Sequence, residues 1–240
     1  MSMKKTVKPY PQQGVAITCR SFEEYVRMFD LEESVIATGP ILDLAAGASS
    51  FTAEARRRGY QAQAVDPRYA SSPEQLLENA AQEIEISTNK LEAMKDQYNW
   101  SYYGSLERHR AGRERSLHLF NDDYTRDRQS GSTIYIAGSL PHLPLPDNQY
   151  SLVLCSHFLF LYEEQFDVDF HLRAIAELLR VCMPGGNIRL YPLFTLRYER
   201  YDALDRIEAM LLERGAEFEY KTSHLPFMPG SHQVFSVTKR

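Results

Sequence analysis

The chain has 240 residues, 43% hydrophobic and 25% charged, with 27 Lys plus Arg against 32 Asp plus Glu and a net charge of -5. This is globular composition at a length suited to a single domain, 1–240, and the acidic balance argues against a general nucleic-acid binder. Cys19, Cys155 and Cys182 lack disulfide or zinc spacing, no apolar run spans a bilayer, and Met1-Ser2-Met3-Lys4-Lys5 leads into polar residues and prolines instead of a secretory signal, so a cytoplasmic protein with reduced thiols and no membrane contact is expected.

Residues 1–20 read as irregular. Phe22, Tyr25, Val26 and Phe29 recur at helical spacing and predict a helix from Ser21 to about Leu31. After Gly39-Pro40, Ile41-Leu42-Asp43-Leu44 suits a buried parallel strand, followed by the small residues Ala45–Ser50. A helix with Ser50 as N-cap runs to Arg58 and stops at Gly59. Arg56, Arg57 and Arg58 fit a solvated complement to the helix dipole better than an anion patch. Tyr60–Val65 is a second strand, ending at Asp66-Pro67.

Roughly 65 residues then precede the third strand, far more than an ordinary connection needs. Residues 71–130 are therefore read as a helical insertion. It is helical over 73–97, with an aromatic cluster (Tyr98, Trp100, Tyr102, Tyr103) and then Arg108, Arg110, Arg113 and Arg115. The cluster suits a lid over a substrate pocket or plain helix packing. Eight basic against eleven acidic residues in this stretch disfavour a nucleic-acid surface. Strands at 133–137 and 150–155, a helix at 166–181, a strand at 187–191 after the Pro184-Gly185-Gly186 turn, and a helix at 201–214 follow. The last strands, 218–222 and 233–238, are joined by about ten residues, too few for a helical crossover, and should pair antiparallel. The predicted fold is α/β: a doubly wound, seven-stranded, mostly parallel sheet with a terminal antiparallel strand and a helical insertion.

The chemistry concentrates at strand ends. Asp43 closes the first strand and the turn Leu44-Ala45-Ala46-Gly47-Ala48-Ser49 lets a ligand approach the backbone. Asp66 ends the second strand, where a carboxylate can accept both hydroxyls of a ribose. Gly138-Ser139-Leu140 ends the third and can edge a purine. The seven histidines are scattered without metal-ligand spacing, so no metal site is expected.

On these residues the chain resembles the class I S-adenosylmethionine-dependent methyltransferases, over roughly residues 35–70 and 130–240. Asp43–Ser49 matches the family's first motif, with Ala45 and Ser49 where glycine is usual and Gly47 kept. Asp66 matches the second acid. Gly138-Ser139-Leu140-Pro141 through Asp147, the segment Tyr150–His157, the Pro184-Gly185-Gly186 turn and the terminal antiparallel pair also fit in order. The resemblance implies that Asp43 and the Ala45–Gly47 backbone hold the methionine part of S-adenosylmethionine and Asp66 its ribose. It places Gly138, Ser139 and Leu140 near adenine, and Cys155 to His157 near the sulfonium and a small-molecule acceptor. His157 is the preferred general base and Tyr162 the second candidate. Three other readings differ in class. A nicotinamide-dependent dehydrogenase is disfavoured because Ala45 and Ser50 stand where its fingerprint needs glycine. A non-catalytic cofactor-binding protein and a dimerisation module would both keep the fold. Cys155 follows Leu154 instead of proline, which disfavours a pyrimidine-carbon nucleophile, and Cys155-Ser156-His157-Phe158 lacks the element of amino-methylating nucleic-acid enzymes.

Overall fold

The computed structural model describes residues 8–240; the reading of residues 1–7, including the Met1–Lys5 terminus, lies outside the described residues. Seven strands form one sheet: β1 (Ile41–Leu44), β2 (Ala62–Val65), β3 (Tyr135–Ile136), β4 (Tyr150–Ser156), β5 (Cys182–Tyr191), β6 (Glu217–Thr222) and β7 (Gln233–Thr238). Their order is β3-β2-β1-β4-β5-β7-β6, with β7 antiparallel to both neighbours and the other pairings parallel. The predicted mostly parallel sheet with one antiparallel strand is therefore present. Strand order reverses between β1 and β4, so their carboxyl ends open a crevice there, as in other doubly wound sheets.

Pleating divides the sheet's side chains between its two faces. Leu42, Leu44, Val153 and Ile188 face α6 (Val168–Val181) and α7 (Leu204–Glu213), where Ala174, Leu178, Ile207 and Leu211 are buried. Ile41, Leu152 and Leu154 face α1 (Phe22–Phe29), α3 (Phe51–Arg57) and their aromatic side chains. Helix α1 starts at a reciprocal cap: the Glu24 N–H donates to Ser21 Oγ and the Ser21 N–H to the Glu24 carboxylate. A short helix α2 (Glu33–Ile36) follows.

Four details correct the sequence reading. Ser50 stands in the N-cap position of α3 but is itself helical and makes no cap bond; its hydroxyl donates to the Glu54 carboxylate and accepts from Ser116. The third strand shortens to two residues. Pro184-Gly185-Gly186 is an excursion inside β5, because Tyr150 pairs with Cys182 and Leu152 already with Asn187. The long connection is α4 (Pro73–Ala93) and α5 (Leu106–Ser130) packed together, and α5 is the β2–β3 crossover itself. Its Phe120 stacks on Tyr69, Tyr124 packs at a tilt against the same ring, and both meet Tyr135 edge-on against the sheet. Its Asp127 accepts from the Ile134 and Tyr135 N–H groups and so fixes the start of β3. Among the described residues no helix is long and apolar enough to cross a membrane.

Candidate active site

Two cavities meet at the carboxyl ends of β1 and β4. The larger, about 460 Å³, is lined by Ala45, Asp66, Arg68, Gly138, Ser139, Leu140, Ser156 and His157, with Phe158, Phe166 and Phe170 across from them. The smaller, about 120 Å³, is lined by Arg20, Glu83, Tyr98, His109, Arg113, His157, Tyr162 and Phe227, among others. Only Ala16, Thr18 and His157 belong to both walls.

The partition between them is residues 15–20, a segment without regular structure that is nonetheless tied down along its length. The Ala48 and Ser50 N–H groups donate to Thr18 O and Arg20 O, each at 3.0 Å, and the Arg20 N–H donates to Ser49 Oγ at 3.2 Å. The Ala16 N–H donates to the Tyr162 hydroxyl at 2.9 Å, and the Arg68 guanidinium donates to Val15 O. Gly47 is needed for this docking. Its φ is +58°, and a Cβ there would lie 3.0 Å from Thr18 O. The close approach that Gly47 permits is thus made by the chain's own backbone. Ala45 also takes a left-handed conformation, φ +53°, at a position where a Cβ costs roughly 1 kcal/mol.

The predicted residues fall into three groups. Asp66, Ala45, Gly138, Ser139 and Leu140 line the larger cavity together. Asp66 Oδ2 accepts from the Gly47 N–H at 3.0 Å and Oδ1 from the Arg68 N–H at 2.9 Å, which aims the carboxylate and leaves its remaining lone pairs for a ligand. Gly138 packs so tightly that a Cβ would meet Pro144 Cδ at 2.7 Å. Asp43 is fully buried beside this wall. One oxygen accepts from the Tyr25 hydroxyl at 3.0 Å, and the other has no partner among the described residues. Burial pushes its carboxyl well above the usual range, an effect that Tyr25 partly offsets and the Asp66 charge reinforces. His157 and Tyr162 stand on the smaller cavity, Tyr162 in the short turn Phe160–Tyr162. Cys155 does not join them: it lies inside β4 in the α6/α7 core, its thiol pushed up to about 12 by burial.

A methyltransferase-domain family model matches residues 113–190. An uncharacterized protein of Methanocaldococcus jannaschii is 34% identical over 221 residues, covering 92% of this chain and 94% of its own. Among solved structures, Streptomyces venezuelae DesVI superposes with a TM-score of 0.51 at 12% identity, covering 91% of this chain and 92% of its own, a likeness of fold. A SAM-dependent methyltransferase from Aquifex aeolicus gives 0.43 at 12% identity over 89% of this chain and 90% of its own. The chain belongs to the class I S-adenosylmethionine-dependent methyltransferases. Family and fold together imply S-adenosylmethionine as its cofactor. An unpartnered buried carboxylate oxygen on Asp43 and a second acid aimed into an adjoining cavity fit such a ligand, which carries both an ammonium and a ribose diol.

The methyltransferase's smaller cavity joins the predicted His157 and Tyr162 to Arg20, Glu83 and His109, for which the sequence suggests no role. His157 sits at φ +50° just after β4, its N–H donating to Tyr191 O at 2.7 Å and its Nδ1 lying 3.0 Å from Ser156 Oγ. Burial, then the charges of Arg20 and Arg113, hold its imidazole well below the usual range, so it is neutral at neutral pH. Glu24 accepts from Arg113 Nη1 and from the Tyr103 hydroxyl, each at 2.6 Å. Arg113 also donates to Cys19 O at 2.8 Å. His109 is driven down to about 2 by burial and the same two arginines. One signal for this cluster was readable: His109, Arg113, Ser116, Phe120 and Tyr124 recur every three or four residues along one face of α5. Arg20 had no such signal.

Proposed function

We propose that this methyltransferase binds its cofactor in the larger cavity and methylates a small molecule held in the smaller one, with His157 at the point of transfer. The observation that carries this is the shared wall, where His157 is the one ionisable side chain common to both cavities. Asp66 would hold the ribose, Gly138, Ser139 and Leu140 would border adenine, and the free oxygen of Asp43 with the Ala45–Gly47 turn would take the methionine end. When bound, S-adenosylmethionine supplies a methyl group on a good leaving group, so the protein's task is mainly alignment and exclusion of water.

Residues 15–20, Phe158 and Phe166 close the space around that junction. Neutral His157, steadied by Ser156, offers an unprotonated ring nitrogen that can accept a hydrogen bond from a hydroxyl or amine acceptor and orient it for transfer, while burial and the two arginines oppose full protonation of the ring. Tyr162 faces the same cavity, and burial keeps its hydroxyl protonated. Tyr98 and Phe227 stack at 4.8 Å on the far side, so part of the 98–103 cluster walls the acceptor while Trp100 packs behind it. Three buried free thiols suit a reducing, cytoplasmic setting. Calorimetric titration with S-adenosylmethionine, S-adenosylhomocysteine and NADH tests the reading. Micromolar binding of the first two alone is expected. Binding of NADH alone would transfer the chain to dehydrogenase chemistry.

A further inference from the structure

Arg20 is 8% exposed, yet its guanidinium donates no hydrogen bond to any described residue, and its Nε is a buried donor without a partner. The nearest carboxylate, Glu24, is 3.8 Å away and already receives Arg113 and Tyr103. Two buried guanidiniums thus share one carboxylate. The other acid on the cavity wall, Glu83, is half-buried, has Lys90 and Arg68 as its neighbouring cations and lies beyond ion-pair distance of Arg20; its Oε1 is also buried without a hydrogen-bond partner among the described residues. A buried arginine left without an acceptor is costly unless something supplies the missing charge and lone pairs. Arg20 lines the smaller cavity and is absent from the wall that carries Asp66. Ile84, Leu91, Tyr98 and Phe227 give that cavity an apolar and aromatic flank.

Resting on the two-cavity reading, we propose that the methyl acceptor is a small carboxylic acid with an apolar body, its carboxylate bound by Arg20 and its reacting end turned toward His157. A guanidinium matches a carboxylate in planar, two-pronged geometry, so the same contact fixes orientation as well as charge. His109, whose Nδ1 is also buried without a partner, stands on the same wall and can serve a second polar group.

The test is a thermal-shift titration of the full chain, saturated with S-adenosylhomocysteine, using benzoate and its neutral isostere benzamide as probes. Benzoate should raise Tm saturably and benzamide should not. Arg20→Met should weaken benzoate on the order of tenfold or more, and Arg20→Lys should recover part of that loss. Arg20→Met should leave the affinity for S-adenosylhomocysteine unchanged. Equal effects of the two probes, or undiminished benzoate binding in Arg20→Met, would overturn the proposal. So would weaker S-adenosylhomocysteine binding in Arg20→Met with 5′-methylthioadenosine, which lacks the carboxylate, unaffected; Arg20 would then serve the cofactor. If S-adenosylhomocysteine does not bind at all, the cofactor reading fails separately. The probes are then compared without it: selective, Arg20-dependent stabilisation by benzoate supports the anion site, and its absence overturns it.

Discussion

The cavity around Asp66 is walled largely by residues that end strands, whereas the cavity around Arg20 is gathered from an irregular N-terminal segment, two helices, the turn after β4 and the loop before β7. The first needs only the sheet to be in register. The second needs buried charges to balance across segments far apart in the chain, since Glu24 on α1 meets Arg113 on α5 and Arg20 on the partition. Damage to the first should therefore appear as lost ligand binding, and damage to the second as lost stability.

The sharpest way to break that contrast is Glu24→Leu. It leaves two buried guanidiniums unpaired and should cost about 3–5 kcal/mol in urea unfolding. A loss under about 1 kcal/mol would mean that the cluster is wetter than its burial indicates. The same group sets a pH dependence. Burial alone would raise the Glu24 carboxyl, but Arg113 and Arg20 with the Ser21 and Tyr103 hydrogen bonds hold it below the ordinary range. Its contribution is thus complete above the unfolded value of about 4.3 and lost as pH falls through the lower folded value. Acid unfolding of the wild type should show this component, and Glu24→Leu should lack it.

On the other side, Asp66→Ala should weaken S-adenosylhomocysteine on the order of a hundredfold by calorimetry, through two lost charged hydrogen bonds, with a smaller effect on stability. Asp43→Asn should separate binding from folding. Removing a buried, half-satisfied acid should raise the unliganded protein's stability by roughly 1 kcal/mol at neutral pH while cofactor affinity falls. A drop in both would make Asp43 a purely structural acid. The smallest effect belongs to Ala45→Gly. Relief of the left-handed alanine, roughly 1 kcal/mol, is nearly offset by glycine's extra chain entropy, so a net change within about 0.5 kcal/mol is expected in the same unfolding assay.

The difference between the cavities also explains what the sequence disclosed. Asp43, Asp66 and Gly138 stand at the ends of apolar runs, and the alternation of strand and helix brings those ends to one edge of the sheet whatever the loops do. Gly47 was legible as a close-approach position, but nothing local says that Thr18 is what approaches it. Residues 15–20 have no periodicity, because their hydrogen bonds go to the β1–α3 turn and not to one another. Helix α5 does not announce itself as a crossover, because its polarity masks the His109-to-Asp127 stripe, four of whose six members are charged or ionisable. Burial of Arg113 depends on Glu24, about ninety residues away, and that pairing leaves no trace in spacing.

The most direct measurement is a crystal structure of the full chain with S-adenosylhomocysteine. The account predicts the ribose on Asp66, adenine along Gly138–Leu140, and the sulfur facing His157 with the Arg20 cavity open beyond it. A ligand lying between Tyr98 and Phe227, or one whose sulfur points away from His157, would contradict it.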